Sequence, residues 1–151
     1  MSAVINTYDT DVVAWANEQA QLLRAGRFDA LDIEHIADEI EDVGKSEKRE
    51  FRSRMAVLLA HLLKWQYQPD RRGNSWRRTI KIQRREVAGC LEDMPSLKAD
   101  LGRPAWRENT WADTLTLATK ETGLSFEAFP EECPWTMAQV FDTEFWPEQT
   151  S

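Results

Sequence analysis

The sequence predicts an all-α protein: a single-domain bundle of about five to six helices around a long central helix, with an aromatic-rich C-terminal tail wrapping the bundle. Three observations predict this class. Apolar residues recur at three-four spacing through most of the chain. No segment alternates apolar and polar residues over strand length, and the β-branched residues never cluster. Ser, Asp, Gly and Pro fall where such helices have to start and stop. The 151 residues suffice for one core and are read as a single domain, 1–151.

Asp9 or Thr10 can accept from the unpaired N–H groups of a first helix over residues 11–25. Its apolar positions are Val12, Trp15, Ala16, Ala20 and Leu23, and Gly26 can take the left-handed conformation that ends it. Asp29 or Asp32 then starts a second helix striped by Ile33, Ile36, Ile40 and Val43, which Gly44 ends or bends. Ser46 opens the long third helix, which covers one face with Phe51, Met55, Leu58, Leu59, Leu62 and Leu63 and runs to Gln68, before Pro69.

A basic turn, 70–74, leads to Ser75 as the cap of a fourth helix. Trp76, Ile80, Val87, Cys90 and Leu91 are expected on its inner side, and Arg77, Arg78, Lys81, Arg84 and Arg85 on its outer side. A short helix follows from Pro95 and Ser96 to Leu101; Pro104 suits the first turn of the next, and Gly123 is its C-cap. The tail from Leu124 is too aromatic to float and is expected to cross the bundle, with one short helix over 135–141.

Composition narrows the function. A formal charge of −7 disfavours nucleic acid and anionic membranes as general partners. Cys90 and Cys133 are 43 positions apart in no metal-binding spacing, so neither a disulfide framework nor a zinc site is suggested, and no cofactor is called for. No apolar run approaches the roughly 20 residues that span a bilayer, the N-terminus lacks an export signal, and the cytoplasm is the expected location. Seven Trp promise a core with aromatic corners.

Charge is also organised along the chain. Residues 28–50 hold nine acids against three bases, and residues 69–85 hold seven bases against one acid. Such arms can neutralise one another as partly solvated pairs. Alternatively, the basic arm stays free for phosphate, with Arg72, Arg77, Lys81 and Arg84 as forks or charges and Trp65 and Trp76 as stacking surfaces.

On a helical projection of about 100° per residue, His61 lies about 80° from Phe51, with Arg54 and Trp65 on the same flank. If the second helix packs there, Glu39 or Glu41 can reach His61 and set its tautomer, which gives an acid–base outline completed by Lys64. The plainer reading is a half-buried, satisfied histidine, with Lys64 snorkelling to solvent. Asp32, His35 and Glu39 have the spacing of a metal corner, but the paired carboxylate-His motifs of a di-iron bundle are missing, so no metal is assigned. No phosphate loop, H-E-x-x-H or G-x-S-x-G is present.

These residues resemble a known pattern: Tyr8-Asp9-x-Asp11, Leu31-Asp32, Glu39-Ile40-Glu41, and above all Leu58-Leu59-x-His61-Leu62-Leu63-Lys64-Trp65. With Ser75-Trp76, Glu121-Thr122-Gly123-Leu124 and Cys133-Pro134-Trp135, the chain looks like the bacterial domain-of-unknown-function 29 family. The resemblance implies a helical fold and supplies no activity; it emphasises Glu39, Glu41, His61, Lys64, Trp65 and Trp76, and departs at His35, where Asn is expected. Three functions are therefore carried forward: a helical protein-interaction module whose partner is another protein or a second copy of the chain; a hydrolase or nuclease, metal-assisted or not, using Glu39 or Glu41, His61 and Lys64; and a phosphate-binding fourth helix.

Overall fold

The computed structural model describes residues 7–148. Every regular element among them is helical: α1 (Thr7–Thr10), α2 (Val12–Arg24), α3 (Ile33–Tyr67), α4 (Asn74–Asp93), α5 (Lys98–Leu101), α6 (Pro104–Thr122) and α7 (Met137–Phe141), with 3-10 turns between several of them. The boundaries follow local chemistry. Asp11 caps α2 by accepting from the Ala14 N–H at 3.1 Å. Gly26 and Gly123 take φ of +72° and +75° after α2 and α6, the left-handed geometry that ends a helix at least cost with glycine. Pro104 opens α6 at its first turn, and Thr136 and Gln139 form a reciprocal capping box on α7.

Several boundaries differ from the sequence reading, the first being that Asp11, not Asp9 or Thr10, caps α2, with Asp9 and Thr10 inside α1. Residues 33–67 form one helix of 35 residues, with no break at Gly44 and no new start at Ser46. A glycine inside a helix costs only about 1 kcal/mol, and Glu41 pairs with Lys45 across it. The residue three on from Ser46 is Arg49, which has no acceptor with which to close a capping box. The fourth helix starts one residue before the expected Ser75 cap, with extended Gly73 at its N-cap.

The chain folds as two compact units, one ending at Glu47 and the other beginning at Lys48. The first holds α1, α2 and the start of α3. Trp15 is the one buried large apolar side chain among its described residues, whereas Val13, Ile33, Ile40 and Val43 are 66–67% exposed and Val12 and Leu23 nearly half exposed. The stripe expected to enter a core is thus largely solvated. This unit also carries the charge: eleven acids against three bases give −8, leaving +1 for the second unit, with fifteen acids against sixteen bases.

The second unit holds the core. Phe51, Met55, Leu58, Leu59, Leu62 and Leu63 from α3 pack with Ile80 and Val87 of α4, Trp111 and Ala118 of α6, and Phe129 and Val140 of the C-terminal segment, each 5% exposed or less. The aromatic tail is built into that core, as its composition predicts.

Candidate functional site

Within the second unit, α3 presents His61, Lys64 and Trp65 on the flank of its leucine stripe. The His61 Nδ1 lies 2.9 Å from the Val57 carbonyl. A carbonyl only accepts, so Nδ1 carries the proton and Nε2 keeps its lone pair. Burial, reinforced by the nearby Lys64 charge, holds the imidazole pKa below its ordinary value, with the Val57 bond acting the other way. His61 is therefore a neutral base at pH 7, able to accept a proton at Nε2.

Lys64 does not lean to solvent as expected. It is 8% exposed, its Nζ donates to Glu121 Oε2 at 2.8 Å, and it lies 4.9 Å from the Trp76 ring centre. The ring and the carboxylate replace the water that the ammonium gives up. Glu121 was not singled out from the sequence. Its pairing spans 57 positions, and its only mark was its place in the Glu-Thr-Gly-Leu run that ends α6.

One turn away, Trp65 collects cations. The guanidinium carbons of Arg72 and Arg77 lie 4.9 and 5.5 Å from its ring centre, and Trp146 of the tail packs 4.6 Å away. Arg72 Nε also donates to the Trp65 carbonyl at 2.6 Å. Arg84, expected on the outer side, is buried at 3% exposure, because its position four after Ile80 and three before Val87 puts it on the inner stripe. Its Nε and Nη2 donate to the Val140 and Phe145 carbonyls at 2.9 and 2.6 Å, and its guanidinium lies over Trp146. Burial lowers its pKa. Arg72 and Arg84 are thus engaged in holding the chain, while Lys81 remains exposed.

Glu39 and Glu41 belong to the first unit. Tyr8 donates to Glu39 Oε1 at 2.6 Å, chiefly because of which its phenol is pushed up to about 12, and Glu41 lies 4.0 Å from Lys45. The approach to His61 required a reversal near Gly44, and residues 33–67 make none. In the second unit His61 and Lys64 share one flank of α3 and Trp76 lies beside the Lys64 ammonium; the two glutamates belong to the first unit.

The first unit has its own polar network. His35 Nδ1 sits 2.7 Å from Asp32 Oδ2, which also accepts from Trp15 Nε1 at 2.9 Å, and the Asp32 N–H donates to Gln19 Oε1 at 2.8 Å. The Tyr8 ring stacks on His35 at 3.9 Å. The hydrogen bond between His35 and Asp32, foremost, raises the His35 pKa and lowers that of Asp32. The carboxylates read as a metal corner are thus used by Trp15, His35 and Tyr8. Among the described residues no group of three or more His, Cys, Asp and Glu is arranged to hold a metal ion.

Beside this network, α2 and the start of α3 form a shallow apolar groove of about 240 Å³, lined by Trp15, Ala16, Ala20, Leu23, Ile36, Ile40 and Val43 with Gln19 and Glu39 at its edge. Among the described residues, no helix is long and apolar enough to cross a membrane. The family model described as Domain of unknown function DUF29 matches residues 7–146. No curated protein and no solved structure matches the chain.

Proposed function

The chain belongs to the domain-of-unknown-function family DUF29, a membership that brings no activity with it, and we propose that the protein is an interaction module whose first unit receives a positively charged amphipathic helix of another protein. One observation carries this reading: Leu23, Ile40 and Val43 border the groove at 45–67% exposure, in a unit of net charge −8. A contiguous solvated apolar patch rimmed by charge is a recognition surface. An amphipathic helix can lay its apolar face into such a groove at three-four spacing.

Charge selects the occupant. A second copy offering the same face would set −8 against −8, whereas Lys and Arg beside an apolar stripe would meet Glu39 at the groove edge and the negative field of the unit. The encounter should weaken as salt rises.

A labelled synthetic helix of Leu and Lys at amphipathic spacing tests the reading by fluorescence anisotropy. Saturable binding that weakens with salt and is lost in Ile40→Glu/Val43→Glu is the expected result. Equal binding of a Leu/Glu helix, or none of the Leu/Lys helix, refutes it. A concentration-dependent dimer in light scattering, abolished by the same double substitution, would give the groove to a second copy and overturn the proposal.

A further inference from the structure

The second unit contains a cavity of about 440 Å³ that none of the readings above uses, formed where α6 meets the segment between Phe129 and α7. Trp111 and Trp135 make two of its walls, with ring centres 6.1 Å apart and planes at 82°. Trp106 makes a third and is backed by Phe51, a stacked ring 5.9 Å behind it. Leu59, Leu115 and Met137 complete the apolar lining. Indole corners of this kind present electron-rich faces to whatever fills them.

The polar groups available there narrow the ligand. The Trp111 indole N–H is already donated to the Pro130 carbonyl at 3.0 Å. Cys133 donates its thiol proton to the Trp135 carbonyl at 3.5 Å, and burial pushes the thiol pKa up, so it supplies neither an anion nor a nucleophile. At the rim, Glu108, Glu131 and Glu132 are exposed, and the single cation, Arg107, ties its Nε to the Leu101 carbonyl at 2.8 Å. Three carboxylates against one guanidinium leave a rim charge of −2 around an aromatic interior.

We propose that this cavity binds a small organic cation bearing a methylated ammonium, held by the faces of Trp106, Trp111 and Trp135 and drawn in by Glu108, Glu131 and Glu132. A quaternary ammonium has an apolar shell and a charge with no N–H to satisfy, which suits indole walls; the Trp111 and Cys133 donors are already used, and the buried Thr110 hydroxyl of the lining has no hydrogen-bond partner. Aromatic faces attract such a cation, and nearby carboxylates add to the field without desolvating it. A neutral group of the same shape would keep the packing and lose the attraction.

Choline and its neutral isostere 3,3-dimethylbutan-1-ol separate these contributions in titrations followed by tryptophan fluorescence and calorimetry. Choline is expected to saturate a single site, with the isostere at least about tenfold weaker, which corresponds to about 1.4 kcal/mol. Trp135→Ala should abolish binding, Trp135→Phe should retain part of it, and Glu131→Gln/Glu132→Gln should weaken it several-fold with a shallower salt dependence. Circular dichroism identifies any variant that has failed to fold, and the glutamine pair, at exposed positions, leaves the core untouched. No saturable response to choline, equal affinity for the isostere, or an unchanged affinity in the glutamine pair overturns the proposal.

Discussion

Both histidines lie on α3, yet their surroundings drive them in opposite directions. His35 is about a third exposed, shares a proton with Asp32 and is pulled towards its charged form. His61 bonds to the carbonyl of its own helix inside a packed wall and is held neutral. The two units differ in the same way. The first is a polar network with its apolar stripe outside and −8 of charge; the second is a buried leucine and tryptophan core at +1. The helix that supplies both is continuous, so partner and burial, rather than secondary structure, decide what each residue does.

Four experiments test this contrast. The largest effect is expected from truncating the leucines. Leu58→Ala or Leu62→Ala, at 0% exposure, should cost about 2–5 kcal/mol in denaturant unfolding. The same truncation at Ile40, 67% exposed, should stay within about 0.5 kcal/mol. Comparable losses at the two sites would show that the first unit's stripe is packed after all.

Next comes the ion pair. Glu121→Gln leaves the Lys64 ammonium buried against Trp76 without its carboxylate, and should cost about 1–3 kcal/mol. Lys64→Met, which removes the buried charge itself, should cost less, because Glu121 is 39% exposed and can be hydrated. Thermal unfolding of the two variants ranks them, and the reverse order would place the strain on the glutamate.

The pH dependence should split by unit. A raised His35 pKa adds stability that is complete below the ordinary histidine value and lost as pH rises through the folded value. The depressed Asp32 pKa adds stability above the ordinary carboxylate value, lost as pH falls through its own folded value. His61 has the opposite sign from His35: its folded pKa is lowered, so the unfolded chain takes up its proton first and the second unit weakens as pH falls below about 6.5. Amide protection factors, which normalise for the intrinsic pH dependence of exchange, should therefore rise around Asp32–His35 between pH 8 and pH 5 while they fall around His61. Parallel behaviour would refute the contrast.

The smallest effect is a gain. Nothing lies within 4 Å of a Cβ built on Gly44, so Gly44→Ala should stabilise the helix by about 0.5–1 kcal/mol, read as a rise in melting temperature. A loss there would mean that α3 needs a bend at this point.

The sequence made most helices legible because their ends use local signals: Gly26, Pro69, Pro104 and Gly123 act within a few residues of themselves. Gly44 misled for the same reason, since a weak local stop was overruled by strong helix formers on both sides. The leucine stripe of α3 was legible from period alone. The isoleucine stripe at 33–43 shows the limit of period, because amphipathic spacing does not say whether anything covers the face. Lys64 and Arg84 were both placed in solvent by type, and each is buried because a residue 57 or 56 positions away, Glu121 or Val140, supplies its acceptor. Long-range pairing leaves no mark in a local pattern. The aromatic cavity was hidden likewise, its Trp106, Trp111 and Trp135 being visible only as aromatic residues of the last third of the chain.

Arg84 decides how firmly the C-terminal segment is held. Its guanidinium is held by main-chain oxygens at Val140 and Phe145, not by a carboxylate, so the clasp reads the path of the chain rather than its residues. Lifting the tail would strand a positive charge in an apolar interior, so a half-detached tail is a high-energy state. Separating the C-terminal segment from Arg84 therefore costs the hydrogen bonds of a buried cation as well as the packing of its aromatic side chains. Drift in the sequence of that segment is tolerated as long as its carbonyls still arrive at the same place.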